Sequence, residues 1–299
     1  MPTLIDAHAH LADPLFDADR DAVLERAAQA GVERIITVGE TLADAQRILE
    51  LARRHPLLAP AVGLYPTHLD IDQARAIEEL IREHRDEIVA IGEIGLDRWM
   101  VRDDEQRRLQ QEIFRRQVEL AVEVDLPVNV HSRSAGRHVI AVLEEVGAPR
   151  VLLHAFDGKA SVAEAGARAG FFFSIPPSIV RSRQKVKLVE RLPLERLLLE
   201  TDSPVLGAQP GERNEPARIT LALEAIATIK GVSPRTVAEI TTANARQLFG
   251  LHPPWSEECW APRSAAAPGR RPGPGPGGPG AGTRRSGPEG PAFEGCRES

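Results

Sequence analysis

The sequence predicts a (β/α)8 barrel. Three observations carry this prediction. Eight short apolar runs alternate with longer amphipathic stretches, no hairpin turn joins one run to the next, and several runs end in His, Glu or Asp.

The runs are taken in chain order. Strands are expected at "TLID" (3–6), "RIITVG" (34–39), "APAVG" (59–63) and "IVAIGE" (88–93). Four more follow at "PVNVH" (127–131), "RVLLH" (150–154), "GFFFS" (170–174) and "RLLLET" (196–201). They are rich in β-branched and apolar residues, as buried parallel strands are. Between them, "DADRDAVLERAAQAG" carries apolar residues at helical spacing and ends on Gly31, and "DEQRRLQQEIFRRQVELAVEVD" is a longer helix of the same kind. An open doubly wound sheet is the alternative, but it usually places a Gly-rich loop after its first strand, where this chain has "DAHAHL". "GARAG" at 166–170 precedes a strand rather than following one, so it does not serve as that loop.

Composition divides the chain in two. Residues 1–252 carry the repeating pattern, whereas 253–299 contain no Ile, Leu, Val or Met and include "PGRRPGPGPGGPGAGTRRSGPEGP". Such a segment cannot bury a core, so a disordered tail is expected, with Trp255, Cys259 and Trp260 the only candidates for a short docking segment. The tail holds six Arg and five Glu, which leaves the body slightly more acidic than the whole chain's −6. An acidic body argues against a broad electrostatic groove for long nucleic acid, but not against a phosphate ester held by bound cations. No run of about 18 apolar residues marks a membrane span. "MPTLIDAHAH" has no basic region followed by a long apolar stretch, and Cys259 and Cys296 both lie in the tail. A cytoplasmic location is therefore expected, or a nuclear one in a eukaryote, rather than secretion.

The strand ends point to chemistry. In a strand, residues i and i+2 face one side, so His8 and His10 would project together where the first strand finishes. The fourth run ends in Glu93, the fifth in His131 and the sixth in His154, and Asp202 follows the eighth. In a barrel these ends converge on one mouth. Any one of them alone would read as a capped histidine, a salt bridge or a turn-forming Asp. Four imidazoles and two carboxylates arriving together read as a metal centre. His55, His84, His138 and His252 do not sit at strand ends and are expected on the surface, while His68 in "GLYPTHLD" could reach the mouth.

The ordered set "DAHAHL", "AIGEIGLD", "LPVNVHSR", "LLHAFDG", "LETDSP" and "RNEP" resembles the successive motifs of the TatD family of metal-dependent nucleases. The resemblance spans about residues 3–252, and "TTANARQLFGL" (241–251) is similar to that family's closing helix. "LPVNVHSRSAGR" and "FFFSIPPSIVRS" look most like its TatD-domain-containing type 3 branch. One position departs: the family commonly has G-x-H-P after the third strand, and this chain has "GLYP", with Tyr65 in the place of that His. Tyr65 could still donate a hydrogen bond, with His68 as a stand-in.

The resemblance implies two divalent cations, Mg²⁺, Mn²⁺ or Zn²⁺, and a phosphodiester substrate. His8, His10 and Asp202 would hold one ion, His131 and His154 the other, with Glu93 bridging. Asp202 is the candidate general base, since a carboxylate beside the attacking water can accept its proton. Arg133, two residues past His131, is placed to clamp a phosphate oxygen, and Arg213 in "GERNEP" is a further candidate for substrate contact. The expected activity is 3′–5′ exonucleolytic cleavage of single-stranded DNA. The alternatives are an amide, lactone or ester hydrolase on the same barrel, or a scaffold that has lost catalysis. The former often carry a bridging carboxylated Lys where this chain has Glu93, and the intact ligand set argues against the latter.

Overall fold

The computed structural model describes residues 3–251. The expectations for His252 and the 253–299 tail, with Trp255, Cys259, Trp260 and Cys296, lie outside the described residues. Eight parallel strands run in sequence order around a nearly closed barrel. They are β1 (Leu4–Ala9), β2 (Val32–Val38), β3 (Leu58–Val62), β4 (Ala90–Gly95), β5 (Val128–His131), β6 (Val151–Leu153), β7 (Phe172–Ile175) and β8 (Leu197–Leu199). The helices are α1 (Arg20–Gln29), α2 (Leu42–Arg54), α3 (Ile71–Glu83), α4 (Asp104–Glu123), α5 (Gly136–Val146), α6 (Ala160–Arg168), α7 (Arg183–Arg191), α8 (Ile219–Lys230) and α9 (Pro234–Phe249). Among the described residues no helix is long and apolar enough to cross a membrane.

The sheet closes through the chain just beyond β8. Asp202 N donates to the His8 carbonyl at 2.8 Å, and His10 N donates to that of Ser203 at 2.7 Å. Beneath them the Asp6 carboxylate accepts from Thr201 N at 2.9 Å and from the Thr201 hydroxyl at 2.6 Å. Burial pushes the Asp6 carboxyl up to about 8, although the Thr201 and His8 hydrogen bonds oppose the rise.

All eight expected strands are present, with shifted ends. β1 extends through His8 to Ala9, and β4 runs two residues past Glu93, because Gly95 pairs with His131 of β5. Only glycine fits there: φ is +140°, and a Cβ would lie 2.1 Å from the His131 carbonyl oxygen. The two helices read from sequence form as α1 and α4, trimmed by a few residues at their starts or ends. α9 is a longer helix than the closing motif alone suggested; Pro234 opens it behind the Ser233 N-cap and Gly250 ends it in the left-handed conformation.

Candidate metal centre

The strand ends bring all six expected residues into one cluster. His8 Nε2 and His10 Nε2 stand 3.3 Å apart, because β1 projects both rings to the same side. Glu93 Oε2 lies 3.5 Å from His8 Nε2 and 3.3 Å from His10 Nε2. Asp202 Oδ1 lies 3.5 and 3.4 Å from the same two nitrogens. On the far side of the carboxylate, Glu93 Oε1 is 2.8 Å from His131 Nδ1 and 2.9 Å from His154 Nε2. The His8 and His154 rings stack at 3.7 Å, so the two sides touch.

These atoms fit a divalent cation. Donors about 2.1 Å from one ion at tetrahedral angles stand about 3.4 Å apart. The four donors His8 Nε2, His10 Nε2, Glu93 Oε2 and Asp202 Oδ1 show that spacing in every distance given above. Glu93 Oε2 is buried with no hydrogen-bond partner, a costly state for a carboxylate oxygen unless a cation faces it. Three overlapping groups have ligand atoms close enough to share an ion: His8, His10 and Glu93; Glu93, His131 and His154; and His8, His154 and Asp202.

Electrostatics make the same demand for positive charge. Burial alone would raise the Glu93 carboxyl, yet the fields of His154 and His8 and the hydrogen bonds of His10 and His131 hold it well below its usual value. Asp202 follows the same pattern: burial raises it, but the His10 hydrogen bond and nearby imidazoles bring it down. Burial would lower His154, but Glu93 and Glu200 lift it to about 10. His10 and His131 are raised too, against burial, by their carboxylate partners. Without a metal, protons supply the charge that a cation would otherwise bring.

Three of the four imidazoles are also backed from behind by an oxygen. His8 Nδ1 donates to Asn129 Oδ1 at 2.9 Å, and the Asn129 amide is itself fixed by donating to the Ala7 carbonyl at 3.0 Å. His131 Nε2 faces Asp97 Oδ2 at 3.1 Å, and His154 Nδ1 faces Glu200 Oε2 at 3.6 Å. A carboxylate or amide oxygen only accepts, so the outer nitrogens of His8 and His131 hold a proton and the inner ones offer their lone pairs, whereas His154 Nδ1 makes no hydrogen bond. Sequence reasoning missed these partners, although a signal was available. Asn129 and Glu200 each lie two residues before an expected ligand, on the same side of the strand and one layer deeper.

A cavity of about 540 Å³ opens over the cluster. Glu40, Tyr65, Arg133, Asp157 and Lys185 help to line it, together with His10, Glu93, His131, His154 and Asp202. Tyr65 packs edge-on to His131, with ring centroids 5.1 Å apart. Burial and the surrounding carboxylates push its phenol far above the usual value, so it stays a neutral donor. Lys185, unrecognised from sequence, is a buried cation whose Nζ donates to the Ala155 carbonyl at 3.1 Å. His68 sits behind Tyr65, about 4.0 Å from Glu40, and does not line the cavity. His55 and His84 cap the C-termini of α2 and α3, and His138 lies in α5 against Arg98.

Arg213, the further candidate for substrate contact, is tied to the loop after β1. Its guanidinium grips both Asp19 oxygens at 2.8 and 2.6 Å, donates to the Leu15 carbonyl at 2.8 Å and lies over the Phe16 ring. With its donors committed to the loop after β1, it ties that loop to the one after β8. Its neighbour Asn214 donates to the Thr201 and Val205 carbonyls at 2.7 and 2.9 Å, shaping the loop that carries Asp202.

A parallel barrel with a His and carboxylate cluster at its C-terminal mouth defines a metal-dependent hydrolase. Residues 5–250 match the family model described as TatD related DNase, and the chain belongs to that family. Human "Deoxyribonuclease TATDN3" is 47% identical over 82% of this chain and 94% of that protein. The "3'-5' ssDNA/RNA exonuclease TatD" of Salmonella typhimurium is 33% identical over 82% of this chain and 98% of its own length. Among solved structures, the TatD homologue YJJV of Escherichia coli superposes with a TM-score of 0.78 at 31% identity, covering 83% of this chain and 98% of that one.

Proposed function

We propose that the chain is a 3′–5′ exonuclease that hydrolyses single-stranded DNA with two divalent cations, Mg²⁺, Mn²⁺ or Zn²⁺. The observation that carries this reading is Glu93, whose two oxygens face two separate sets of donors: His8 and His10 on one side, His131 and His154 on the other. The human relative is named a deoxyribonuclease, and the Salmonella relative is named for 3′–5′ cleavage of single-stranded DNA and RNA.

His8, His10, Asp202 and Glu93 would hold one ion, and His131, His154 and Glu93 the other. When bound there, such cations would supply charge neutralisation for a phosphodiester and would lower the pKa of a water toward neutral. Asp202 stays ionised, because the neighbouring imidazoles depress its pKa, and so it is ready to take the proton of the attacking water. Its φ of 54° is unusual for a residue other than glycine and turns the carboxylate into the mouth. Arg133 holds a phosphate oxygen from the cavity wall. Tyr65 donates from beside His131, where the family motif places a histidine.

The test is purified protein with end-labelled single-stranded DNA, with and without EDTA, beside a panel of p-nitrophenyl esters. The expected result is stepwise loss of 3′ nucleotides that EDTA abolishes. Ester cleavage without nuclease activity would overturn the reading in favour of a different hydrolase, and inactivity on every substrate would favour a scaffold.

A further inference from the structure

We propose that the Trp99 indole is a stacking platform for a nucleobase adjacent to the scissile phosphodiester. The proposal rests on the DNA-hydrolase reading above. Trp99 is 52% exposed in the β4–α4 connection, and its neighbour Met100 is 60% exposed. It is the bulkiest of the exposed apolar side chains among the described residues. A half-exposed indole offers an apolar surface and a π-system to a ligand.

Its surroundings indicate the occupant. The Arg133 guanidinium lies 5.5 Å from the ring centroid, and Arg133 also lines the catalytic cavity. Arg102 lies 5.8 Å from the same centroid. Two guanidinium groups over a half-exposed indole suit an anionic ligand with a π-face, which is a nucleotide. Arg133 spans the two places: it reaches into the cavity proposed to hold the phosphodiester and borders the ring proposed to hold the base.

The platform is also held in register with the centre. Asp97 Oδ1 accepts from Trp99 N at 2.9 Å and from Met100 N at 2.8 Å, while Asp97 Oδ2 faces His131 Nε2 at 3.1 Å. One carboxylate thus sets both the Trp99 turn and the His131 ring. A base locked in a duplex cannot leave its stack to lie on Trp99, so the platform selects single strands. Stacking is tolerant of base identity, so it does so without reading sequence.

The experiment is a cycle between protein and substrate, reading initial release of the first nucleotide from a single-stranded oligonucleotide. Trp99→Ala should raise KM about ten-fold with little change in kcat, and Trp99→Phe should recover most of the loss. An abasic site is then walked along the strand. At one position wild-type protein should lose the same factor, and Trp99→Ala should lose nothing further there. Unchanged KM in Trp99→Ala, or an equal loss on intact strands and on every abasic strand, overturns the platform alone. Wild-type protein that cleaves no strand overturns the nuclease reading and the platform with it.

Discussion

The two sides of Glu93 are built differently. Toward His8 and His10, the two imidazole nitrogens lie 3.3 Å from each other and 3.3–3.5 Å from Glu93 Oε2 and from Asp202 Oδ1, and that Glu93 oxygen has no hydrogen bond. Toward His131 and His154, three donors meet, and both imidazoles touch the carboxylate at 2.8–2.9 Å. The first has separations around its imidazoles suited to an ion. The second has fewer protein donors and lies beside Tyr65 and Arg133 on the cavity wall. In a hydrolytic centre a position short of protein donors is where water or substrate can complete the shell. On the proposed two-cation reading, the His131 side would have the room for a substrate oxygen, while Asp202 on the other side would face the attacking water.

The largest effect should come from removing the residue they share. Glu93→Ala should lower turnover by roughly 10³-fold or more and cut bound metal below two ions per chain, counted by ICP-MS beside the rate. A variant that keeps two ions and normal turnover would defeat the two-sided assignment. Next comes the four-donor side. Asp202→Asn keeps one oxygen for a metal but cannot take a proton, so kcat should fall roughly 10²-fold at nearly constant KM. Rescue to near wild-type rate by excess Mn²⁺ would reduce Asp202 to a ligand and leave the base to be found elsewhere.

A smaller and more discriminating change lies behind the three-donor side. Asp97→Asn retains an oxygen for the Trp99 turn but removes the anion facing His131. Metal affinity should weaken about 10–100-fold for one ion only, with activity recovered at high metal. Equal weakening of both ions in a metal titration would show that the two sides are not separable. The smallest effect is expected from truncation after residue 252, which should leave melting temperature and nuclease rate unchanged, since the removed segment has no Ile, Leu, Val or Met to bury. A large fall in melting temperature would give the tail a structural role.

The barrel was legible because each strand announces itself twice, by an apolar run and by the residue that ends it. The six clustered side chains were legible for the same reason: a barrel sends every strand end to one mouth. Asn129 and Glu200 were missed because attention stopped at the strand end, although the two-residue period already placed them beneath His131 and Asp202. Asp97 was hidden differently, four residues after Glu93 and past the point where the strand was thought to stop. Lys185 had no such signal, since it reaches the cavity from helix α7 and only three-dimensional packing brings it there. Arg213's ion pair with Asp19 was not legible either, since the two residues lie far apart in the chain and only the fold brings their loops together.

The closing seam has a consequence for synthesis. Asp6 and Thr201 meet across 195 residues of chain, one layer below the place where His8 and His10 meet Asp202. The histidines of β1 therefore wait for the chain beyond β8 before the cluster is complete. A chain halted before β8 has His8, His10 and, once β4 is made, Glu93, but not Asp202, so a truncated product is expected to be inert toward DNA. Cutting ability is expected to arrive only with completion of the barrel.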